Sequence, residues 1–400
     1  MSVTTDEPRR VPSTVALVRC DGYDPSSVYA AVGRGLDLLG GAGRFAEAGE
    51  RILLKPNLLV ASTPGEAVTT HPEVFRAVSR HLAETGAELS YGDSPAFGGT
   101  RMVARRAGIE AVAQELGVQR VQFGHPQTVS FPSGGLIKQF DIAQAVLDAD
   151  GLVSLPKLKT HALTRMTGAI KNQFGCVPGM RKGTFHVRMP DAERFAQMLV
   201  DLNRLLQPRL FVMDAIVAME GNGPRGGDPR PLGALLLSAD PVAIDACACR
   251  IIGLDPQIVD TIRWGGLWGL GEPKDIQLLG DPLDSFYEPD FRVDRKRAPS
   301  PTGPGLKSRL ARDHLVPRPV IDPALCTACH TCVKMCPVTP KALTPHAKHD
   351  RTGAYDPRET ELRPPTYDYS VCIRCYCCQE TCPEHAIYVK TPLLGRLIHS

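Results

Sequence analysis

No apolar run in the sequence approaches the ~18 residues needed to cross a bilayer, and the opening MSVTTDEPRR lacks the apolar stretch of a secretory signal. The expectation is a cytoplasmic chain without a membrane span, in a compartment that keeps thiols reduced. An excess of one charge is missing too. The 46 Lys and Arg against 43 Asp and Glu leave a net +3, so no general attraction to nucleic acid is expected. There is no phosphate loop of the G-x4-G-K-S/T type. The stretch GNGPRG formally fits G-x-G-x-x-G, but Pro224 and the following GDPRP cannot open a helix. No NAD, flavin or nucleotide motif is therefore present.

Cysteine, by contrast, is plentiful at thirteen residues, five of them within VCIRCYCCQETCPEHAI. Cys372, Cys375, Cys378 and Cys382, followed by Pro383, read C-x2-C-x2-C-x3-C-P, and Cys377 is left over. The same run occurs in CTACHTCVKMCP as Cys326, Cys329, Cys332 and Cys336, followed by Pro337. Single C-x2-C pairs also suit tetrahedral zinc. Two complete runs favour two [4Fe-4S] clusters over zinc or a disulfide framework, and in two-cluster ferredoxins the fourth Cys of each run serves the other cluster. The expected ligand sets are Cys326, Cys329, Cys332 and Cys382 for cluster 1, and Cys372, Cys375, Cys378 and Cys336 for cluster 2.

Up to about residue 280, short buried strand-like runs (TVALVRC, RILLKPNLLV, AELSYGDS, GLVSLPKL, RLFVMDAIVAM, LGALLLSA) alternate with amphipathic helical ones such as HPEVFRAVSRHLAETG and DAERFAQMLVDLNRLLQ. This implies an α/β fold, a parallel or mixed sheet with helices on both faces, followed by a small bacterial ferredoxin-like α+β domain. The expected division is a flexible N-terminus (1–13), an α/β domain (14–285), a Pro/Arg-rich linker or strap outside the core (286–318), the ferredoxin-like domain (319–392) and a tail (393–400). An enlarged insert lies between the two Cys runs.

Ligands of such sheets bind at the carboxyl ends of the strands. Residues 151–190 supply seven Lys or Arg and two His there, with no Asp or Glu. A run without internal counter-charge must find anions elsewhere. Any single lysine here reads more readily as solvated surface, but the pattern suggests a pocket for a carboxylate or phosphate. Lys157, His161, Lys171 and His186 are the candidate catalytic groups, and Lys55, Asn57, Lys159, Asn172 and Lys182 the candidate substrate-binding groups. The acidic loop expected to face them carries Glu220 and Asn222. Cys176, Cys247 and Cys249 read as small buried hydrophobes, and His71 as the cap of a helix opened by Pro72.

Taken together, LLKPNLL, TTHPEV, GDSPAFGG, LPKLKTHALTRMTGAIKNQFGCVPG, MEGNGP and SADPVAID resemble the large domain of the domain of unknown function 362 family. CIRCYCCQETCPEHAI resembles the ferredoxin module often fused to it. The resemblance implies an α/β domain joined to a 2[4Fe-4S] module and assigns no activity. The favoured reading is a ferredoxin-type reductase for an anionic small molecule, fed by an external electron donor such as ferredoxin, with no nucleic-acid partner. The alternatives are a non-catalytic electron-transfer or maturation protein that docks a partner protein, and a metabolite-binding protein whose clusters only staple the C-terminus. Oligomeric state stays open, a homodimer included.

Overall fold

Runs such as Ile52–Leu54 and Leu235–Leu237 are apolar at successive positions, so as strands they present apolar side chains to both faces and need cover on each. In the computed structural model, which describes residues 13–179, 181–296, 313–345 and 363–394, this is what they receive. The first half of the α/β domain runs β1 (Ser13–Arg19), α1 (Pro25–Leu38), β2 (Arg51–Pro56), α2 (Pro72–Ala83), β3 (Glu88–Tyr91), α3 (Thr100–Arg106), α4 (Ile109–Leu116) and β4 (Gln119–Arg120). A small hairpin, β5 (Pro126–Ser130) and β6 (Gln139–Ala143), leads through α5 (Gln144–Leu147) into the segment that carries the site. That segment comprises β7 (Gly151–Leu155), β8 (Lys157–His161), β9 (Arg165–Thr167), α6 (Ala169–Asn172), α7 (Arg181–Arg188) and α8 (Ala192–Leu206). The domain closes with β10 (Leu210–Glu220), β11 (Asp228–Ser238), α9 (Pro241–Ile251), α10 (Asp260–Leu267) and β12 (Ile276–Gly280).

Ten of these strands form one mixed sheet: eight lie in the order β12-β1-β11-β10-β7-β2-β3-β4, and β8, with β9 beside it, pairs with β10 off that path. Along that path only β11 runs against its neighbours. Side-chain alternation divides the interior in two. Ile52, Leu54, Leu235 and Leu237 join α1 to α4 on one face, while Leu53, Phe211 and Leu236 join α6, α8 and α9 on the other. The expected fold class is thus borne out. Capping follows the sequence: the Asp240 carboxylate accepts from the N–H groups of Val242 and Ala243, and His71 Nδ1 accepts from that of Glu73.

One irregularity positions the site. β10 pairs first with β7 at Leu210 and Phe211, then, beyond the jog at Pro156, with β8 at Asp214 and Met219. Its length therefore spans two successive strands, and the Lys157–His161 stretch is a buried strand rather than a loop.

The segment expected to be a linker departs from that reading. Phe286 and Phe291 are buried in the larger core, and Arg292 pairs with Glu220, so residues up to 296 belong to the α/β domain. The remainder to 312 lies outside the described residues, as do residues 1–12, most of the enlarged insert (346–362) and residues 395–400; Ser13 already belongs to β1.

In the C-terminal domain, Arg318–Ile321 pairs antiparallel with Ile387–Lys390, and Leu343–Thr344 with Thr366–Tyr367. Two five-residue helices, Thr331–Met335 and Cys377–Thr381, each hold the third Cys of a run and end just before the fourth. Among the described residues no helix is long and apolar enough to cross a membrane.

Asp201 ties the β5–β6 hairpin to α8 by accepting from the N–H groups of Gly135, Leu136 and Ile137 at 2.7–2.8 Å. Asp201→Ala leaves three donors without their acceptor and is expected to cost roughly 3 kcal/mol, read as a lower urea midpoint at unchanged slope.

Candidate functional site

The carboxyl ends of β2, β3, β7 and β8 converge beside the C-terminal domain. Between the two domains lies a cavity of about 440 Å³. Its α/β wall includes Asn57, Asp93, Lys159, His161, Lys171, Asn172, Lys182 and His186; its opposite wall includes Met335, Cys336, Pro337, Cys377 and Glu380.

Two of the expected site lysines do not line it. Lys157 turns toward β10, where its ammonium lies 2.8 Å from Asp214 Oδ2 and donates to Tyr23 Oη at 2.9 Å. Tyr23 stacks on His71 with ring centroids 3.5 Å apart, and the network is closed to the cavity. Burial pulls the Lys157 pKa down, and Asp214 opposes it. The catalytic part expected for Lys157 is corrected on this ground: its ammonium is a structural partner of Asp214. Lys55 is likewise sealed behind the wall, 2.8 Å from Asp93 and 3.3 Å from Asn172 Oδ1. Gly175 presses on that pair so closely that a Cβ there would sit 1.8 Å from Asp93 Oδ1, which explains the glycine in QFGCVPG.

The others do meet. Lys159 donates to Asn57 Oδ1 (2.9 Å) and to the Val68 carbonyl (2.6 Å), leaving one of its three ammonium donors free. Burial, reinforced by the charge of Lys171, brings its pKa down to about 7. Lys182 donates to the carbonyls of Ser94 and Pro95, and burial lowers its pKa to about 8.

Short α6 is anchored by Asp245, which accepts from the N–H groups of Ala169 and Ile170. It places Asn172 on Ser154 Oγ and the Lys55 carbonyl. It also places the Lys171 ammonium 5.0 Å and 5.8 Å from the ring centroids of Phe174 and Phe195. Among the described residues that ammonium has no hydrogen-bond acceptor and no carboxylate in ion-pair contact, and burial lowers its pKa. His186 stacks on Phe195 at 4.5 Å, its Nδ1 buried without a hydrogen-bond partner among the described residues, and burial drives its pKa down to about 3.

His161 Nδ1 accepts from the Leu163 N–H at 3.0 Å, so the neutral ring carries its proton on Nε2. That nitrogen lies 3.0 Å from Glu380 Oε1, close enough to pair as ions but not aligned as a hydrogen bond. Burial opposes ionisation of Glu380, yet His161, Lys171 and His186 hold its pKa down to about 2.

Glu380 is the anion the basic run lacked, and sequence reasoning missed it. It is the one acid among residues 371–382, within the second Cys run. Glu220, expected in that place, faces Arg292 instead at 2.9 Å. Its neighbours clasp the C-terminal domain: Asn222 donates to the Ile387 carbonyl and Arg225 to that of Thr381, both at 3.0 Å, and Gln379 donates to Asn222.

The cysteines fall into two groups. Cys326, Cys329, Cys332 and Cys382 line one small cavity of the C-terminal domain; Cys336, Cys372, Cys375 and Cys378 line a second. The backbone repeats as well: Ala328 and His330 around Cys329, and Arg374 and Tyr376 around Cys375, all have φ between 50° and 63°. Such left-handed non-glycine residues turn successive thiols to one side at a conformational cost. Tyr367 Oη donates to Cys378 Sγ at 3.1 Å. Among the described residues no three His, Cys, Asp or Glu side chains are arranged to hold a single metal ion. A cavity ringed by four thiols suits a multi-atom cluster. Cys176, Cys247 and Cys249 are buried, and burial pushes the Cys176 thiol up to about 12.

Residues 52–250 match the family described as a domain of unknown function (DUF362), and residues 318–383 match a 4Fe-4S dicluster domain. The chain belongs to the DUF362 family. This member is 40% identical over 250 residues to a thylakoid-associated protein of Synechocystis sp., covering 62% of this chain and 77% of that protein. Among solved structures, the lactate racemase apoprotein of Thermoanaerobacterium thermosaccharolyticum aligns at 12% identity and TM-score 0.39, covering 62% of this chain and 58% of that one. A Thermotoga maritima protein aligns at 12% identity and TM-score 0.35, covering 56% and 57%. The chain thus spans less than two thirds of either solved structure. The C-terminal domain of this DUF362 member is an iron–sulfur domain.

The two lysines separate in a stability measurement. Lys157→Met strands the buried Asp214 carboxylate and should cost about 3 kcal/mol or more. Lys171→Met removes a half-buried ammonium that supports Glu380 only through space, with no carboxylate in ion-pair contact among the described residues, and should lower the urea midpoint by less than Lys157→Met does.

Proposed function

We propose that this protein is an iron–sulfur reductase that binds a small anionic substrate in the cavity between its domains. The observation that carries the reading is the Lys171 ammonium, which among the described residues lacks a carboxylate in ion-pair contact and lines a cavity whose far wall includes Cys336 and Cys377. Cys326, Cys329, Cys332 and Cys382 would hold one [4Fe-4S] cluster, and Cys372, Cys375, Cys378 and Cys336 the other. When bound, such clusters supply electrons one at a time. Cys329 is the one cysteine exposed to solvent, so an external one-electron carrier such as ferredoxin would meet the chain there. Cys336 touches the cavity.

The chain's own residues then bind and supply protons. Lys171 and the free donor of Lys159 attract the anionic group, and Lys182 adds a third positive charge. A desolvated cationic site stabilises negative charge that builds on a substrate reduced before it is protonated. Lys159, with its pKa near 7, is poised to release a proton at neutral pH and to regain one. His186, neutral at that pH, offers Nδ1 as a hydrogen-bond partner. His161 Nε2 lies 3.0 Å from Glu380 and is occupied by that carboxylate as a charge partner rather than acting on substrate. A walled cavity, in place of a flat basic surface, favours this reading over a carrier that docks a partner protein.

Lys171→Ala should weaken binding of a small carboxylate or phosphate by roughly 10- to 100-fold in calorimetry while the visible cluster absorbance stays intact; unchanged affinity would remove the pocket assignment. Iron and sulfide analysis should return about eight of each per chain, and a zinc-only chain would end the reductase reading. A lysine is cationic below its pKa. Anion affinity should therefore be highest below pH 7, fall as Lys159 loses its proton near 7, and fall again as Lys182 does near 8. A flat profile from pH 6 to 9 would contradict this.

A further inference from the structure

The cavity is unevenly built along its depth. At the closed end the lining is ionisable: Lys159, His161, His186 and Glu380 are each less than one-tenth exposed. Among the described residues two groups of the lining have polar capacity left unused: the buried His186 Nδ1 and, on a half-buried residue between that end and the opening, the Lys171 ammonium. A buried polar atom without a partner is costly unless a ligand or water completes it. Toward solvent a group of apolar side chains joins the exposed Thr184 and Lys341. Leu59, Ala96, Met335 and Pro337 are partly exposed, and Val187 is 43% exposed on a helix whose next-door residue, His186, reaches the interior. Both domains contribute to this apolar rim. The lysines nearest the opening are already engaged: Lys182 on the carbonyls of Ser94 and Pro95, Lys341 on those of Cys336 and Lys334.

We infer that the cavity takes a small amphiphilic acid, its anionic head seated at Lys171 and His186 and its apolar body lying against Leu59, Met335, Pro337 and Val187. This rests on the anion-binding reading above and adds the chemical class. A compact polar anion would leave the apolar rim in water. A dicarboxylate would bring its second charge to that rim, where the lysines among the described residues, Lys182 and Lys341, are already engaged by carbonyls. Volume sets the size of the body: about 440 Å³ is near the lower end of small-molecule sites, enough for one ring or a short chain beside the head group and too little for a long lipid tail.

The test is a calorimetric affinity series on the cluster-loaded full chain, using acetate, butanoate and hexanoate, with succinate and inorganic phosphate as polar comparators. Each buried methylene should tighten binding about fourfold, placing hexanoate at least tenfold below acetate in Kd and succinate weaker than butanoate. Val187→Ser, at an exposed helix position where the fold is not at risk, should narrow the hexanoate-to-acetate ratio by about half or more. Lys171→Met should weaken all three monoacids together.

Several results would overturn the inference. Acetate, phosphate and succinate binding as tightly as hexanoate would leave the anion reading standing and remove the amphiphile. A full chain-length series in Val187→Ser would show that the apolar body does not lie where it is placed here. Binding of none of the five compounds would remove the anion reading and the amphiphile with it.

Discussion

The cavity depends on one buried carboxylate that crosses between domains. Moving a carboxylate out of water costs several kcal/mol unless positive partners and donors replace the lost hydration. Glu380 finds its compensation in His161 and Lys171, both on elements of the other domain. The reverse also holds, because the forty residues 151–190, with seven Lys or Arg, carry no acid of their own. Each surface makes the burial of the other tolerable, so the helix Cys377–Thr381 docks on this face of the α/β domain. That helix holds Cys378 and leads directly into Cys382. The contact that closes the cavity therefore also positions both sets of thiols relative to it.

The compensation is incomplete, and the imbalance shapes the chemistry. Asp93 is already paired with Lys55, which leaves Glu380 facing Lys159, Lys171 and Lys182. Charges act strongly where water is excluded. The same burial that pulls Lys159 and Lys182 down toward neutral pH makes the remaining positive field more effective on a bound anion. Asn57, Val68, Ser94 and Pro95 hold these ammonium groups in fixed positions, so little reorganisation is needed when charge develops on a ligand. The aromatic pair Phe174 and Phe195 supports Lys171 without neutralising it.

Much of this was legible before the structure. Alternating buried strands and amphipathic helices announced the α/β sheet, because period 2 and period 3.6 are set by local geometry. The cysteine runs announced an iron–sulfur domain, because short loops fix which thiols can turn to the same side. The absence of acids in residues 151–190 announced a cluster of positive charge. Which lysines share it was not legible. Lys157 and Lys159 sit two residues apart on one strand and look equivalent in sequence. The jog at Pro156 and the length of β10 send the first to Asp214 and the second to Asn57 and Val68.

The sequence by itself determined the elements, the grouping of cysteines and the excess of positive charge, since each follows from neighbours a few residues apart. Only the tertiary structure decided that Glu380 meets His161 across 219 positions of chain, that Glu220 is taken by Arg292, and that Lys171 has no carboxylate in ion-pair contact among the described residues. Long-range pairing of charges depends on which surfaces come together, and desolvation, not the pattern of any one segment, selects among them.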